Sequence, residues 1–156
     1  MAKTVENAIQ GGSFLIEDIP AERVFTPEDF TDEHQMIAKT TEEYVNNEVL
    51  PQLEHLENHE FDRSVKLLRK AGELGLLSAD IPEEYGGLGL DKVSSAIIAE
   101  NMAPAGGFAI SHGAHVGIGS LPIVLFGTEE QKQKYLPYLA TGEKIAAYAL
   151  TEPGSG

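Results

Sequence analysis

Cysteine and tryptophan are absent from this 156-residue chain, and basic residues are scarce. Without cysteine there is no disulfide framework, no thiolate nucleophile and no cysteine-based metal site. Eleven Lys and Arg stand against 25 Asp and Glu, for a net charge of −14. That balance argues against nucleic acid or an anionic membrane surface as partner. The N-terminus lacks the charged-then-apolar pattern of a signal peptide and is too acidic for a transit peptide. A cytoplasmic protein is therefore expected. No internal repeat is present. What is there is 42% hydrophobic, enough for one domain with its own core rather than a disordered chain.

Charge is missing altogether from Phe108 to Phe126, which carries no Asp, Glu, Lys or Arg. A helix apolar all the way round is expected to be buried on all sides, so this stretch reads as the central helix. It is long enough to suggest a membrane span. His112 and His115 inside it, Pro122 near its end and the lack of close basic flanks argue against one. The two histidines have no carboxylate or thiol nearby in sequence, so they read as core or cavity-lining residues rather than metal ligands. Gly113, Gly117 and Gly119 each cost about 1 kcal/mol against alanine in a helix. They predict a close approach there, by a neighbouring helix, a ligand, or both on different faces.

The N-terminal stretch from Met1 to Pro20 has no strong period. Gly11, Gly12 and Ser13 read as a loose tail, with Phe14, Leu15, Ile16 and Ile19 able to dock on the body. Thr26-Pro27-Glu28-Asp29 is a helix start, with Thr as cap, Pro at the first position and acids in the first turn. Ile37, Thr41, Tyr44, Val45 and Val49 continue it at helical spacing until Pro51 stops or bends it. Asp32, Glu33, Glu42, Glu43 and Glu48 are its solvated face. His55 and His59 among Glu54, Glu57 and Glu60 look like a metal cluster in type, but nothing would pin such ligands on an exposed helix.

A second helix is expected from Arg63 to Leu74, with Val65, Leu68 and Ala71 inward and Gly75 as cap. Ile81 to Leu90 holds Pro82, Gly86, Gly87 and Gly89, and so reads as an ordered turn-rich loop. It lacks the Lys-Ser/Thr of a phosphate-binding P-loop and follows no strand. Asp91 caps a third helix with Val93, Ala96 and Ile97 inward, closed by Ala103-Pro104. Gly127 ends the central helix. Thr128-Glu129-Glu130-Gln131 is a capping box for a last helix with Tyr135, Leu136 and Leu139 on its apolar side, and Gly142 ends that helix. Lys144 to Leu150 is short, apolar and mixed, and predicts a strand. The turn Thr151 to Gly156 follows, and the sequence looks cut there. Periodicity alone gives an all-α domain.

Three stretches carry a family resemblance. Tyr148-Ala149-Leu150-Thr151-Glu152-Pro153-Gly154-Ser155-Gly156 resembles the first signature of the acyl-CoA dehydrogenases, which continues with Ser-Asp. Ile81-Pro82-Glu83-Glu84-Tyr85-Gly86-Gly87-Leu88-Gly89 is similar to their P-x-x-Y-G-G-x-G loop. Phe126-Gly127-Thr128-Glu129-Glu130-Gln131-Lys132, on to Tyr135-Leu136-Pro137, is similar to their G-T-x-x-Q-K-x-x-Y-L-P helix. The resemblance runs from about Asp29 to Gly156, with the three motifs in family order and spacing.

The resemblance implies a helical N-terminal domain, then a β-domain and a C-terminal four-helix bundle, in a homotetramer. This chain would be an extension (1–25), the all-α helical domain (26–143) and the first strand of a truncated β-domain (144–156). The implied reaction oxidises the Cα–Cβ bond of an acyl-CoA thioester, as in fatty acid β-oxidation. A glutamate removes the α-proton, hydride goes to FAD, and an electron-transfer flavoprotein accepts the electrons. Tyr148, Leu150 and Thr151 match positions lining the flavin ring, where backbone groups and the threonine hydroxyl bond the pyrimidine edge. Fixed donors there would stabilise the negative charge that a reduced flavin gains. Gly156 would begin a turn near flavin and substrate.

No catalytic residue is assigned in this chain. The glutamate base is expected beyond Gly156, and Glu152 reads as a turn residue. Most of the adenine and pyrophosphate site is expected downstream or on a second subunit. The central helix would form one wall of the acyl cavity, with Ala114, Gly117 and Ile118 lining it. The run His112-Gly113-Ala114-His115 is closest to the very-long-chain branch, which implies a long acyl chain. The competing expectations are an acyl-CoA oxidase or flavin monooxygenase on the same fold, and a non-catalytic helical module binding acyl chains or a partner. An exposed apolar Ile145 to Leu150 argues against the last.

Overall fold

A computed structural model describes residues 12–20 and 23–155, apart from the side chain of Phe14. The expectations for residues 1–11 and for Gly156 fall outside the described residues. The architecture is all helical, as expected: α1 (Asp32–Tyr44), α2 (Leu53–Glu57), α3 (Phe61–Glu73), α4 (Lys92–Met102), α5 (Gly107–Ala114), α6 (Leu121–Phe126) and α7 (Glu129–Ala140).

The first helix begins later than Thr26 suggests. Thr26 and Asp29 do form a reciprocal capping box, but over a single 3-10 turn, Pro27–Asp29. Phe30 then goes extended, and Thr31 restarts the chain as the true cap of α1, its hydroxyl accepting from His34 N at 3.2 Å.

Pro51 does not stop this helix. A π-helical stretch, Val45–Val49, and a 3-10 turn, Leu50–Gln52, carry α1 on into α2. Proline lacks an N–H and its ring crowds the carbonyl four residues back. Widening the preceding turn to π geometry relieves that crowding. The same device recurs at Pro122, where π-helical His115–Ser120 joins α5 to α6. There the Ser120 hydroxyl donates to the His115 carbonyl at 2.7 Å and supplies a partner within the widened turn.

The core has two parts. The larger holds Tyr44, Val49, Leu67, Leu77, Met102 and Phe108, with α1 packed along α4. The buried Tyr44 hydroxyl donates to Leu67 O at 2.8 Å. The smaller holds Ile81, Tyr85, Leu136, Leu139 and Ala140, and fixes α7 against the glycine-rich loop. Tyr85 Oη donates to the Glu129 carboxylate at 2.8 Å across that contact. α3 ends as expected: Gly75 takes φ +79°, with Gly75 N on Gly72 O at 3.0 Å and Leu76 N on Ala71 O at 2.9 Å.

Several expectations are corrected. In α4 the inward face is Ser94, Ile97, Ile98 and Met102, not Val93 and Ala96, which turn toward Phe25 and Phe30. Leu15 and Ile16 are exposed, so neither docks on the body. Lys144 to Leu150 forms no regular element, and no strand is present among the described residues. A strand needs a ladder partner, and the amide of Ala146 goes instead to a histidine.

The central rod, Gly107–Phe126, is long and apolar enough to cross a membrane, and only 22% of its most apolar window is buried. It is therefore not buried on all sides. Phe108, His112, His115 and Ser120 face inward, while Ile110, Ile118, Leu125 and Phe126 lie open. The apolar pattern is complete, but helices cover only one face of it among the described residues. Both histidines bond sideways to neighbouring elements.

Candidate functional site

Two sets of residues singled out in the sequence lie on segments that are joined at His115. The first is the outer face of the central rod, where Ala114, Gly117 and Ile118 recur at helical spacing. Ala114 and Gly117 are half-buried and Ile118 is 56% exposed. Nothing lies within 4 Å of where a Cβ would stand on Gly113 or Gly117. These two glycines seat no neighbouring helix and leave open space on this face, called the trough below. Gly119 differs: a Cβ there would stand 2.6 Å from Ala146 Cβ. The close approach expected along this helix is thus made at Gly119, by the segment after α7.

That segment is the second set. Lys144 N donates to Tyr138 O at 3.0 Å and Ala146 N to His115 Nδ1 at 3.0 Å. The strap then runs on through Tyr148, Leu150 and Thr151, all exposed. Among the described residues, no backbone hydrogen bond is made by residues 147–151. They present a row of unpaired N–H and C=O groups beyond the point where Ala146 touches the central rod. Glu152 closes the following turn through its backbone, with N–H on Ser155 O at 3.0 Å and O receiving Ser155 N at 3.1 Å.

Both histidines are buried and bonded. His112 Nε2 donates to Leu76 O at 2.9 Å, and His115 Nε2 to Leu139 O at 3.0 Å. Burial pushes the pKa of each below the ordinary histidine range, and neither is a metal ligand by its partners. Among the described residues no group of His, Cys, Asp and Glu is arranged to hold a metal ion. His55 pairs with Glu60 at 2.7 Å, and Arg63 donates to the same carboxylate at 2.6 Å, so that acidic cluster forms an exposed ion-paired network.

The glycine-rich loop is no anion cradle. Its N–H groups are taken up internally: Gly87 by Pro82 O, Leu88 by Ser78 O, Gly89 by Ile81 O and Leu90 by Ala79 O, at 2.7–3.1 Å. Sequence reasoning missed the His115–Ala146 bond and also a His34–Asp91 pair at 3.2 Å that ties the start of α1 to the cap of α4. In the second case a signal existed, since His34 sits three residues after a Thr cap.

Gly113 gives a direct test of the open trough. With no steric claim on its Cβ position, Gly113→Ala is expected to raise stability by about 1 kcal/mol, read as a higher urea midpoint.

Residues 31–143 match the family model "Acyl-CoA dehydrogenase, N-terminal domain". A probable acyl-CoA dehydrogenase of Bacillus subtilis (strain 168) is 69% identical over 156 residues, covering 100% of this chain and 26% of the relative. The crystal structure of an acyl-CoA dehydrogenase complexed with FAD from Bacillus anthracis superposes with a TM-score of 0.90 at 76% identity, covering 96% of this chain and 26% of that one. A chain from the electron transferring flavoprotein structure of Acidaminococcus fermentans superposes with a TM-score of 0.75 at 39% identity, covering 84% and 34%. This chain thus spans about a quarter of the length of the two Bacillus proteins.

Proposed function

This chain belongs to the acyl-CoA dehydrogenase family, and from that membership we propose that it serves a flavin-dependent enzyme that oxidises the Cα–Cβ bond of acyl-CoA thioesters. One observation carries the reading. The strap with unpaired donors at Tyr148, Leu150 and Thr151 is tied through Ala146 to the helix that bears the trough at Ala114, Gly117 and Ile118.

The donor set suits a flavin edge. Backbone N–H groups and a threonine hydroxyl are the fixed donors that a pyrimidine edge requires. FAD, when bound, supplies the two-electron acceptor. The chain's own residues orient it, the strap acting through these donors. Ala114, Gly117 and Ile118 form an apolar wall that aligns the acyl chain and excludes water from it. None of this chain's carboxylates is assigned as the base. The helical unit spans 26–143 after an extension at 1–25, and 144–156 leads into a β-domain. The FAD complex of the Bacillus anthracis relative supports the cofactor, and the Acidaminococcus fermentans neighbour supports an electron-transfer flavoprotein as acceptor. The proposal extends to a long acyl chain, a role in fatty acid β-oxidation, a homo-oligomer and a cytoplasmic location. The exposed Leu125 and Phe126 suit an assembly that covers them.

The experiment is anaerobic bleaching of the flavin by acyl-CoAs of graded length, in a full-length protein carrying this chain. Saturated acyl-CoA is expected to bleach it, and Gly117→Met to shift the preference to shorter chains by filling the trough. No bleaching with any acyl-CoA overturns the reading. Rapid reaction of the reduced flavin with O₂ overturns it in favour of an oxidase. The 156-residue chain by itself is expected to hold no stoichiometric flavin, because the strap is exposed on its outer side. A yellow purified sample at one flavin per chain contradicts that.

A further inference from the structure

His115 does more than fill space. Its side chain is fully buried and bonded at both ring nitrogens, to Leu139 O in the last turn of α7 and to Ala146 N on the strap, each at 3.0 Å. A carbonyl only accepts and an amide N–H only donates. A single tautomer satisfies both, with the proton on Nε2 and the lone pair on Nδ1. Ala146 also rests against Gly119, where any side chain would collide with it. The strap is therefore pinned at one point by a bond and by a contact. Past that point, no backbone N–H up to the Glu152 turn is tied down among the described residues. Two residues of extended chain reach about 7 Å at most, so the pin at Ala146 limits where Tyr148 can stand. On the helix side, Ala114 neighbours His115 in sequence, and Ile118 neighbours Gly119.

We propose that His115, acting through the Ala146 N–H, is a positioning residue that sets the register between the flavin-edge segment 148–151 and the acyl-trough face 114–118. The proposal rests on the reading of the strap given above. It assigns His115 no contact with the reacting atoms. Its tautomer is the device: the ring accepts from the strap because its proton is held by α7.

Two substitutions separate the bonds. His115→Asn keeps an acceptor near the place of Nδ1 and loses the donor, while His115→Gln keeps a donor near the place of Nε2 and loses the acceptor. Amide hydrogen exchange on this chain is the first readout. In the Gln variant the Ala146 amide is expected to exchange about tenfold faster, the measure of one lost hydrogen bond, with α3 and α4 unchanged. In the Asn variant it stays close to the parent rate. Equal loosening in both variants, or a larger effect from the smaller Asn, means simple packing and overturns the proposal.

If the Gln variant does not fold, ¹⁵N spectra of the unmodified chain decide. Protonated Nε2 with bare, hydrogen-bonded Nδ1 supports the proposal, and a proton on Nδ1 overturns it. The second readout is the flavin absorption spectrum of the full-length protein. A band shift in His115→Gln but not in His115→Asn is expected, and identical spectra overturn the positioning role. An unmodified full-length protein that binds no flavin overturns the functional reading instead, and the Ala146 exchange data show separately whether the latch exists.

Discussion

Gly87→Ala is expected to cost the chain about 3 kcal/mol or prevent it from folding, because the added methyl has nowhere to go. A Cβ on Gly87 would stand 1.9 Å from Ile81 O and 2.5 Å from Ile81 Cβ. Those atoms cannot retreat. Ile81 is buried in the smaller core, and its carbonyl already receives the Gly89 N–H at 2.9 Å. Moving it would open the bonds by which Leu88 and Leu90 return to Ser78 and Ala79. It would also shift Tyr85 off Glu129 and loosen α7. Gly86 is the control. It takes φ +82° with nothing within 4 Å of the Cβ position, so alanine there pays only the left-handed backbone cost of about 1–2 kcal/mol. Urea unfolding by circular dichroism ranks the two. Equal midpoints for the two variants would mean that the loop yields and that the close approach is not a constraint.

The same loop shows how far the sequence could be read. Its glycines and proline marked it as turn-rich, and the missing Lys-Ser/Thr argued against a phosphate cradle; the structure agrees by using up its N–H groups. The Thr128 box was equally legible, because a capping box is a local pattern whose bonds span three residues, here 2.8 and 3.3 Å. Thr26 carried the same kind of signal and still misplaced a helix. Its box is satisfied within one turn, and Thr31 restarts the chain with His34 in the place where Glu or Gln is the familiar partner.

At Pro51 the sequence left a stop and a bend both open, and the chain runs on past it. A stop at Pro51 follows only if the backbone keeps α geometry, and a π turn gives the chain another way past. In α4, a shift of one position turns the expected inward set, Val93, Ala96 and Ile97, into the observed Ser94, Ile97 and Ile98. The Phe25–Phe30 segment that draws Ala96 outward is a tertiary neighbour that periodicity does not show. The site divides along the same line. The family resemblance named both Tyr148, Leu150 and Thr151 and, on the central helix, Ala114, Gly117 and Ile118. The histidine that joins the two sets was visible only as a polar residue in an apolar helix. Its partners lie 24 and 31 residues away, and the order of amino acids between them carries no mark of the bond.

Mild acid is expected to destabilise this chain well before its carboxylates titrate, and the cause is the pair His112 and His115. Burial holds both imidazoles below the ordinary value of 6.5. In the unfolded chain they titrate near that value, so as pH falls below it the unfolded state takes up protons first. Groups with depressed folded pKa values of this kind contribute their full stability above the unfolded pKa. They lose it as pH drops, until the folded pKa is reached. Within that window each histidine adds a slope of about 1.4 kcal/mol per pH unit. The carboxylates act lower. Glu60, held down by Arg63 and then His55, and Glu129, held down by Gln133 and then Tyr85, matter only below 4.5. The net charge of −14 pulls the other way, because protonation relieves self-repulsion. A variant isolates the histidine effect from that background. His112→Gln keeps a donor for Leu76 O and removes the titrating ring. Urea midpoints measured from pH 8 to pH 5 are expected to fall less steeply in this variant than in the parent chain, by up to one proton's worth of slope. Parallel profiles would mean that His112 is already free to charge in the folded state, and that its burial does not hold it neutral.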